Sequence, residues 1–189
     1  MPIESISEKQ KTLLQKEQHM EFKELMSARY SVRKFKPEPV SDTEIQELLE
    51  ALRLAPTARN QQPIRAWVIK SAERLEDIKK VTKYHYNAPL TIAVGCVAQE
   101  AYVRQSDGKN FGIVDASIAA TQLWLRAADM GLGAVWVSDY DTEALKNAFP
   151  EFSPAEIVVL MQIGHPTDDS QPIVWHTKKR PETELFATL

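Results

Sequence analysis

The chain has 189 residues, 43% of them hydrophobic and 26% charged, which describes one globular domain with a real core and not a disordered chain. A net charge of −3 argues against a nucleic-acid binder, because no excess of cations exists to displace counterions from phosphates. The single cysteine, Cys96, excludes an intrachain disulfide and suits a reducing cytoplasm.

Residues 1–20 alternate charge and polarity without the apolar run of a signal peptide, and the apolar stretch 88–98 is too short to span a bilayer. The expectation is a cytoplasmic protein without membrane contact. Residues 4–25, rich in Glu, Lys, Gln and Leu, predict an exposed helix, with 1–20 as a helical extension. Residues 29–35 read as an extended piece closed by Pro37 and Pro39. Ser41 with Glu44 three residues on is a capping box, and Ile45, Leu48, Leu49 and Leu52 follow at helical spacing up to Pro56.

Residues 57–63 form a polar loop, 64–70 a strand and 72–83 a charged surface helix. Residues 90–97 are continuously apolar, as in a strand covered on both faces. After a polar loop at 99–112, residues 113–130 predict a helix so poor in polar side chains that burial over most of its circumference is expected, which hints at a dimer core. Gly131 caps it; a strand at 134–137, a short helix at 142–149 and a buried strand at 157–163 follow. Residues 167–189 should run as an arm. No repeat or linker divides the chain, and the element order favours an α+β sandwich over a doubly wound sheet.

Four constellations bear on chemistry. In an extended segment Arg29, Ser31 and Arg33 share a face, and two guanidinium groups with a hydroxyl suit a phosphate or another anion; the bland alternative is a solvated strand edge. The loop around Thr57, Asn60 and Gln61, stiffened by Pro56 and Pro63, offers groups able to read a heterocycle, or is an ordinary polar connection. Lys178, Lys179 and Arg180 matter only if the fold returns them to Arg29. Gly131-Leu132-Gly133 has a helix before it and a strand after, the reverse of a dinucleotide fingerprint, so it reads as a helix cap. The four histidines lack metal-ligand spacing, and Cys96 lies in an apolar strand where a packed thiol is expected.

Taken together, Arg29-Tyr30-Ser31-Val32-Arg33-Lys34-Phe35, Ala55-Pro56-Thr57-Ala58-Arg59-Asn60-Gln61-Gln62-Pro63, Met130-Gly131-Leu132-Gly133-Ala134-Val135-Trp136 and Ile163-Gly164-His165-Pro166 resemble the nitroreductase family of flavoproteins, over residues 20–180. The resemblance implies a single domain, a three-layer α/β/α sandwich with a mixed, mostly antiparallel sheet. It also implies a homodimer that exchanges its C-terminal arm, residues 165–189. The cofactor implied is FMN, reduced by NADH or NADPH and reoxidised by a small acceptor such as a nitroaromatic or a quinone in a ping-pong scheme. Arg29, Tyr30 and Ser31 would hold the phosphate and ribityl chain, with Lys178 and Arg180 closing the phosphate site. Arg33 would lie at the N1–C2 edge of the ring. Pro56, Thr57, Ala58 and Asn60 would come from the partner subunit, and Trp136, Val137 and Ser138 would pass beside N5. No side chain is assigned a catalytic role, because flavin N5 carries the chemistry. Alternatives on the same fold are a flavin-destroying, dehalogenating or biosynthetic enzyme, or an FMN-binding module without turnover.

Overall fold

A computed structural model describes residues 21–189. The elements, in chain order, are α1 (Phe22–Ala28), α2 (Asp42–Arg53), β1 (Ile64–Ile69), α3 (Ala72–Val81), β2 (Leu90–Cys96), α4 (Gly112–Asp129), β3 (Gly133–Val137), α5 (Thr142–Ala148), β4 (Glu156–Gly164) and α6 (Glu182–Leu185). Most of the helix expected at 4–25 lies outside the described residues; of its last residues, Phe22 to Leu25 are helical in α1, which starts after the non-helical Glu21. Among the described residues, no helix is long and apolar enough to cross a membrane.

The four strands form one sheet in the order β1-β2-β4-β3, with every neighbouring pair antiparallel. Parallel pairing is confined to an isolated bridge between Ser31 and Ala134. Residues two apart along a strand share a face, and the sheet follows this except at the bulge opposite Val94 and Gly95, where Val158 and Val159 of β4 both face the same layer. Ile92 and Val94 of β2, Met161 and Ile163 of β4 and Ala134 of β3 pack with α2 and α4 on one side. Ala93, Leu160, Val135 and Val137 point to the other side, where α3 and α5 cover them. All seven residues of β2 are buried, as its unbroken apolar run implies for a strand between two layers. The architecture is the expected three-layer sandwich.

Local signals explain where the helices begin and end. Ser41 accepts the Glu44 N–H while the Glu44 carboxylate accepts the Ser41 N–H, completing the capping box that starts α2. At the other end of α4, Gly131 takes a left-handed φ of 76°. Its N–H donates to Ala128 O at 3.1 Å, and the Leu132 N–H reaches back to Ala127 O at 2.8 Å. These two bonds are a Schellman cap, and they turn the chain directly into β3.

Helix α4 is not enclosed by its own chain, the situation that led to the expectation of a dimer core: Ala116, Ala119, Ala120, Leu123 and Ala127 are buried, but Ile113, Val114 and Ile118 stand 49%, 40% and 38% exposed. One expectation needs correction: the region after residue 167 is not a plain arm. It forms a 3₁₀ turn at Val174–His176 and the single turn α6, because Tyr30, Lys34 and the Ser27 carbonyl give it polar partners on its own chain.

The cap at Gly131 is testable. Gly131→Ala puts a Cβ into the left-handed region, at a cost of about 1–2 kcal/mol. The expected outcome is a melting temperature lower by roughly 2–8 °C, measured by thermal denaturation.

Candidate functional site

The segment after α1 runs along the free edge of β3. The Val32 N–H donates to Ala134 O at 3.1 Å, and the same oxygen accepts the Trp124 indole N–H at 3.1 Å. A Cβ on Gly133 would lie 2.6 Å from Val32 Cγ1, so this close approach depends on a residue without a side chain. Held there, Arg29, Ser31 and Arg33 line one recess of about 250 Å³, together with Tyr30, Trp124, Ile173, Trp175, His176 and Lys179. The period-2 spacing of the two arginines and the serine therefore does bring them together.

The recess is cationic. The Arg29 guanidinium lies 4.2 Å from the centre of the Trp124 ring, a cation–π contact that fixes its direction. Burial lowers the Arg29 pKa from its ordinary value, the sign expected of a cation that loses water without gaining a carboxylate. Arg33 Nη1 donates to Ser31 O at 3.0 Å, and Lys179 Nζ donates to His176 O at 3.0 Å. Among the described residues, none of the three cations meets a carboxylate. The donor set fits an anion with several oxygens, such as a phosphate group. A volume below the roughly 300–1,000 Å³ of complete small-molecule sites suits part of a cofactor only.

The tail returns to this segment, as the phosphate-site expectation required, but with a different residue inward. Tyr30 donates to Ser170 O at 3.2 Å, and His176 Nε2 sits 3.0 Å from Ser27 O. The turn at Val174–His176 sets the phase that brings Lys179 to the recess. Arg180 pairs instead with Glu184 at 3.4 Å, and Lys178 is exposed and does not line the recess. Sequence reasoning missed Trp124, Trp175 and His176. An indole in an otherwise alanine-rich helix was the available signal for Trp124.

The remaining expected residues lie elsewhere. Residues 57–62 form a tight loop in which Arg59, Asn60 and Gln62 have φ of 54°, 55° and 51°, a left-handed backbone without a glycine. The Ala58 N–H donates to Asp115 Oδ1 at 2.9 Å, near the start of α4. Trp124 is nine residues further on, about 13 Å along the axis at 1.5 Å per residue. Pro56, Thr57, Ala58 and Asn60 are thus not in the Arg29 recess of the same chain. At the end of β3, Trp136 Nε1 donates to Ser138 Oγ at 2.7 Å and Ser138 is exposed. The Val137 side chain faces the opposite layer, so only its backbone is available.

Other chemistry finds no support among the described residues. No cluster of three His, Cys, Asp or Glu is placed to hold a metal. Cys96 is buried, and burial, with the charges of Glu156 and Asp115, pushes its thiol pKa up, away from thiolate reactivity.

The profile described as "Nitroreductase family" matches residues 26–86 and 82–165. A protein of Methanothermobacter thermautotrophicus assigned as an NADH dehydrogenase/NAD(P)H nitroreductase is 30% identical over 157 residues, covering 79% of this chain and 80% of the relative. The crystal structure of a nitroreductase family protein from Clostridium difficile superposes with a TM-score of 0.83 at 29% identity, over 90% of this chain and all of that one. A Desulfovibrio desulfuricans protein assigned as a nitroreductase, solved in complex with FMN, gives 0.72 at 25% identity, over 88% of this chain and 95% of that one. The profile spans most of the described fold, including the segment that builds the cationic recess, and the chain belongs to the nitroreductase family.

Proposed function

We propose that the chain is an FMN-dependent oxidoreductase that takes hydride from NADH or NADPH and delivers it, or electrons, to a small electrophilic acceptor such as a nitroaromatic or a quinone, by a ping-pong scheme. The observation that carries this reading is the recess in which Arg29, Arg33 and Lys179 face one space without a carboxylate partner among the described residues. Support comes from the family, from the FMN complex of the Desulfovibrio relative and from the nicotinamide cofactor in the name of the Methanothermobacter relative.

Bound there, FMN would supply the hydride chemistry itself, and the protein needs no nucleophile. Arg29 and Lys179 hold the phosphate, and Ser31 offers it a hydroxyl. Trp124 keeps the Arg29 guanidinium from swinging to solvent. Arg33 is assigned to the pyrimidine edge, where its charge favours the more negative, reduced cofactor.

The working unit in this proposal is a homodimer. The uncovered apolar face of α4 at Ile113, Val114 and Ile118 is what a second subunit would bury. A partner would also bring the 57–62 loop, which one chain holds away from its own recess, to complete the site. Exchange of the region beyond residue 165 belongs to the same proposal and would make its contacts with Ser27, Tyr30 and Lys34, and the approach of Lys179 to the recess, intermolecular.

The first test is an absorbance spectrum of the purified protein, anaerobic titration with each nicotinamide, and light scattering. The expected outcome is a dimer carrying FMN that bleaches on addition of NADH or NADPH. A flavin that stays oxidised under excess reductant would instead favour a binding module, and a monomer holding FMN tightly would sink the shared site.

Arg29→Ala should weaken FMN binding tenfold or more, since a charged hydrogen bond contributes about 1.5–3 kcal/mol. Riboflavin, which lacks the phosphate, should bind almost as before; equal losses for both ligands, by fluorescence titration, would make Arg29 merely structural.

Arg33→Gln keeps hydrogen-bonding capacity and removes the charge. The midpoint potential of bound FMN should fall by about 30 mV, equivalent to roughly 1.4 kcal/mol for two electrons. Dye-coupled anaerobic titration measures it, and an unchanged potential with weaker binding would reduce Arg33 to a holding role.

A further inference from the structure

The inner side of α4 is lined by alanine and leucine, yet Asp115 sits on it with 2% exposure. One carboxylate oxygen, Oδ1, accepts the Ala58 N–H at 2.9 Å; the other, Oδ2, is buried and has no partner among the described residues. Burying a half-satisfied carboxylate is expensive, and its place in the first turn of a helix offsets only part of the cost. An alanine like those at 116, 119 and 120 would fit the packing without that penalty. What Asp115 provides that they do not is an acceptor for a loop amide.

That loop needs one. Arg59, Asn60 and Gln62 all hold left-handed backbone angles, a conformation that persists only where the surroundings over-determine it. Two side-chain acceptors do so. Asp115 grips the Ala58 amide as the turn opens, and Thr57 Oγ1 accepts the Gln62 N–H at 3.0 Å as it closes. Between the two grips Arg59 and Asn60 are exposed.

We infer that Asp115 is the positioning residue of the flavin-binding loop: by accepting the Ala58 N–H it holds residues 57–62 in the shape that presents Thr57, Ala58 and Asn60 to the cofactor. The inference rests on the FMN reading above. Asp115 acts through Ala58 and touches no ligand, and the acceptor oxygen carries the role while the charge does not. Asparagine, which keeps an acceptor at Oδ1, therefore replaces it; alanine does not.

The test compares Asp115→Asn and Asp115→Ala with the full-length wild-type chain, reading hydrogen exchange at the Ala58 amide and the affinities for FMN and riboflavin. In Asp115→Ala the Ala58 amide should exchange at least tenfold faster, and both flavins should bind about tenfold more weakly. The parallel loss separates a loop effect from the phosphate effect of Arg29→Ala. Asp115→Asn should keep both the protection and the affinities. Unchanged Ala58 exchange in Asp115→Ala, unchanged flavin binding, or equal damage from asparagine and alanine each overturns the inference. Should Asp115→Ala fail to fold, Ala58→Pro removes the same N–H from the loop side, and wild-type flavin affinity in that variant is equally fatal. A wild-type chain that binds neither flavin overturns the FMN reading and this inference with it, whereas wild-type binding with an indifferent Asp115→Ala overturns only the inference.

Discussion

The carbonyl oxygen of Ala134 joins the parts of this molecule that build the cationic recess. It accepts one hydrogen bond from the Val32 amide and one from the Trp124 indole, so a single atom ties the extended segment and helix α4 to the edge of the sheet. Both lone pairs are engaged, and neither neighbour can slide along β3 without leaving a buried polar group unmet. The positions of Arg29, Ser31 and Arg33 follow from this junction, as does the face that the Trp124 ring offers to the Arg29 guanidinium. The same contact protects the sheet, because an edge strand with unpaired backbone groups is a template for unwanted association.

The junction also explains an asymmetry between the two helical layers. On the side of α3 and α5 the cover is sealed by large rings: Phe149 and Phe152 stack at 4.8 Å, and Trp67 lies 4.7 Å from Phe152. On the other side, the buried residues that α4 itself contributes are mostly alanines, which let the helix approach the sheet closely and leave its larger side chains, Trp124 among them, for the flanks. Bulk was placed where only packing is needed, and small residues where a helix must come near enough to touch a functional segment.

Much of this was legible in the residues. Capping at Ser41 and Gly131 and the two-sided burial of β2 are local signals, and they place the main elements of the sandwich. The clustering of Arg29, Ser31 and Arg33 follows from period 2 alone. Less legible was anything decided by a distant contact. Which of Lys178, Lys179 and Arg180 turns inward depends on the turn at Val174–His176, and that turn depends on Ser27 and Tyr30, about 150 positions earlier. For α4, apolar composition tells how much of the helix avoids water but not which residues its own chain covers, so the place of the exposed stripe at Ile113, Val114 and Ile118 came only with the fold. Asp115 was visible as one of the few strongly polar residues in an apolar helix, but its partner is a backbone amide, which leaves no trace in residue identity.

One rod supports both the cationic recess and the 57–62 loop. Asp115 near its start grips the 57–62 loop, and Trp124 further along supports Arg29. The stretch between them acts as a ruler and a protractor at once. Removing one residue there shortens the spacing by about 1.5 Å and turns one grip by roughly 100° relative to the other, enough to aim it at the wrong neighbour. A change of length between the two grips is therefore forbidden by the very helix that makes both of them rigid.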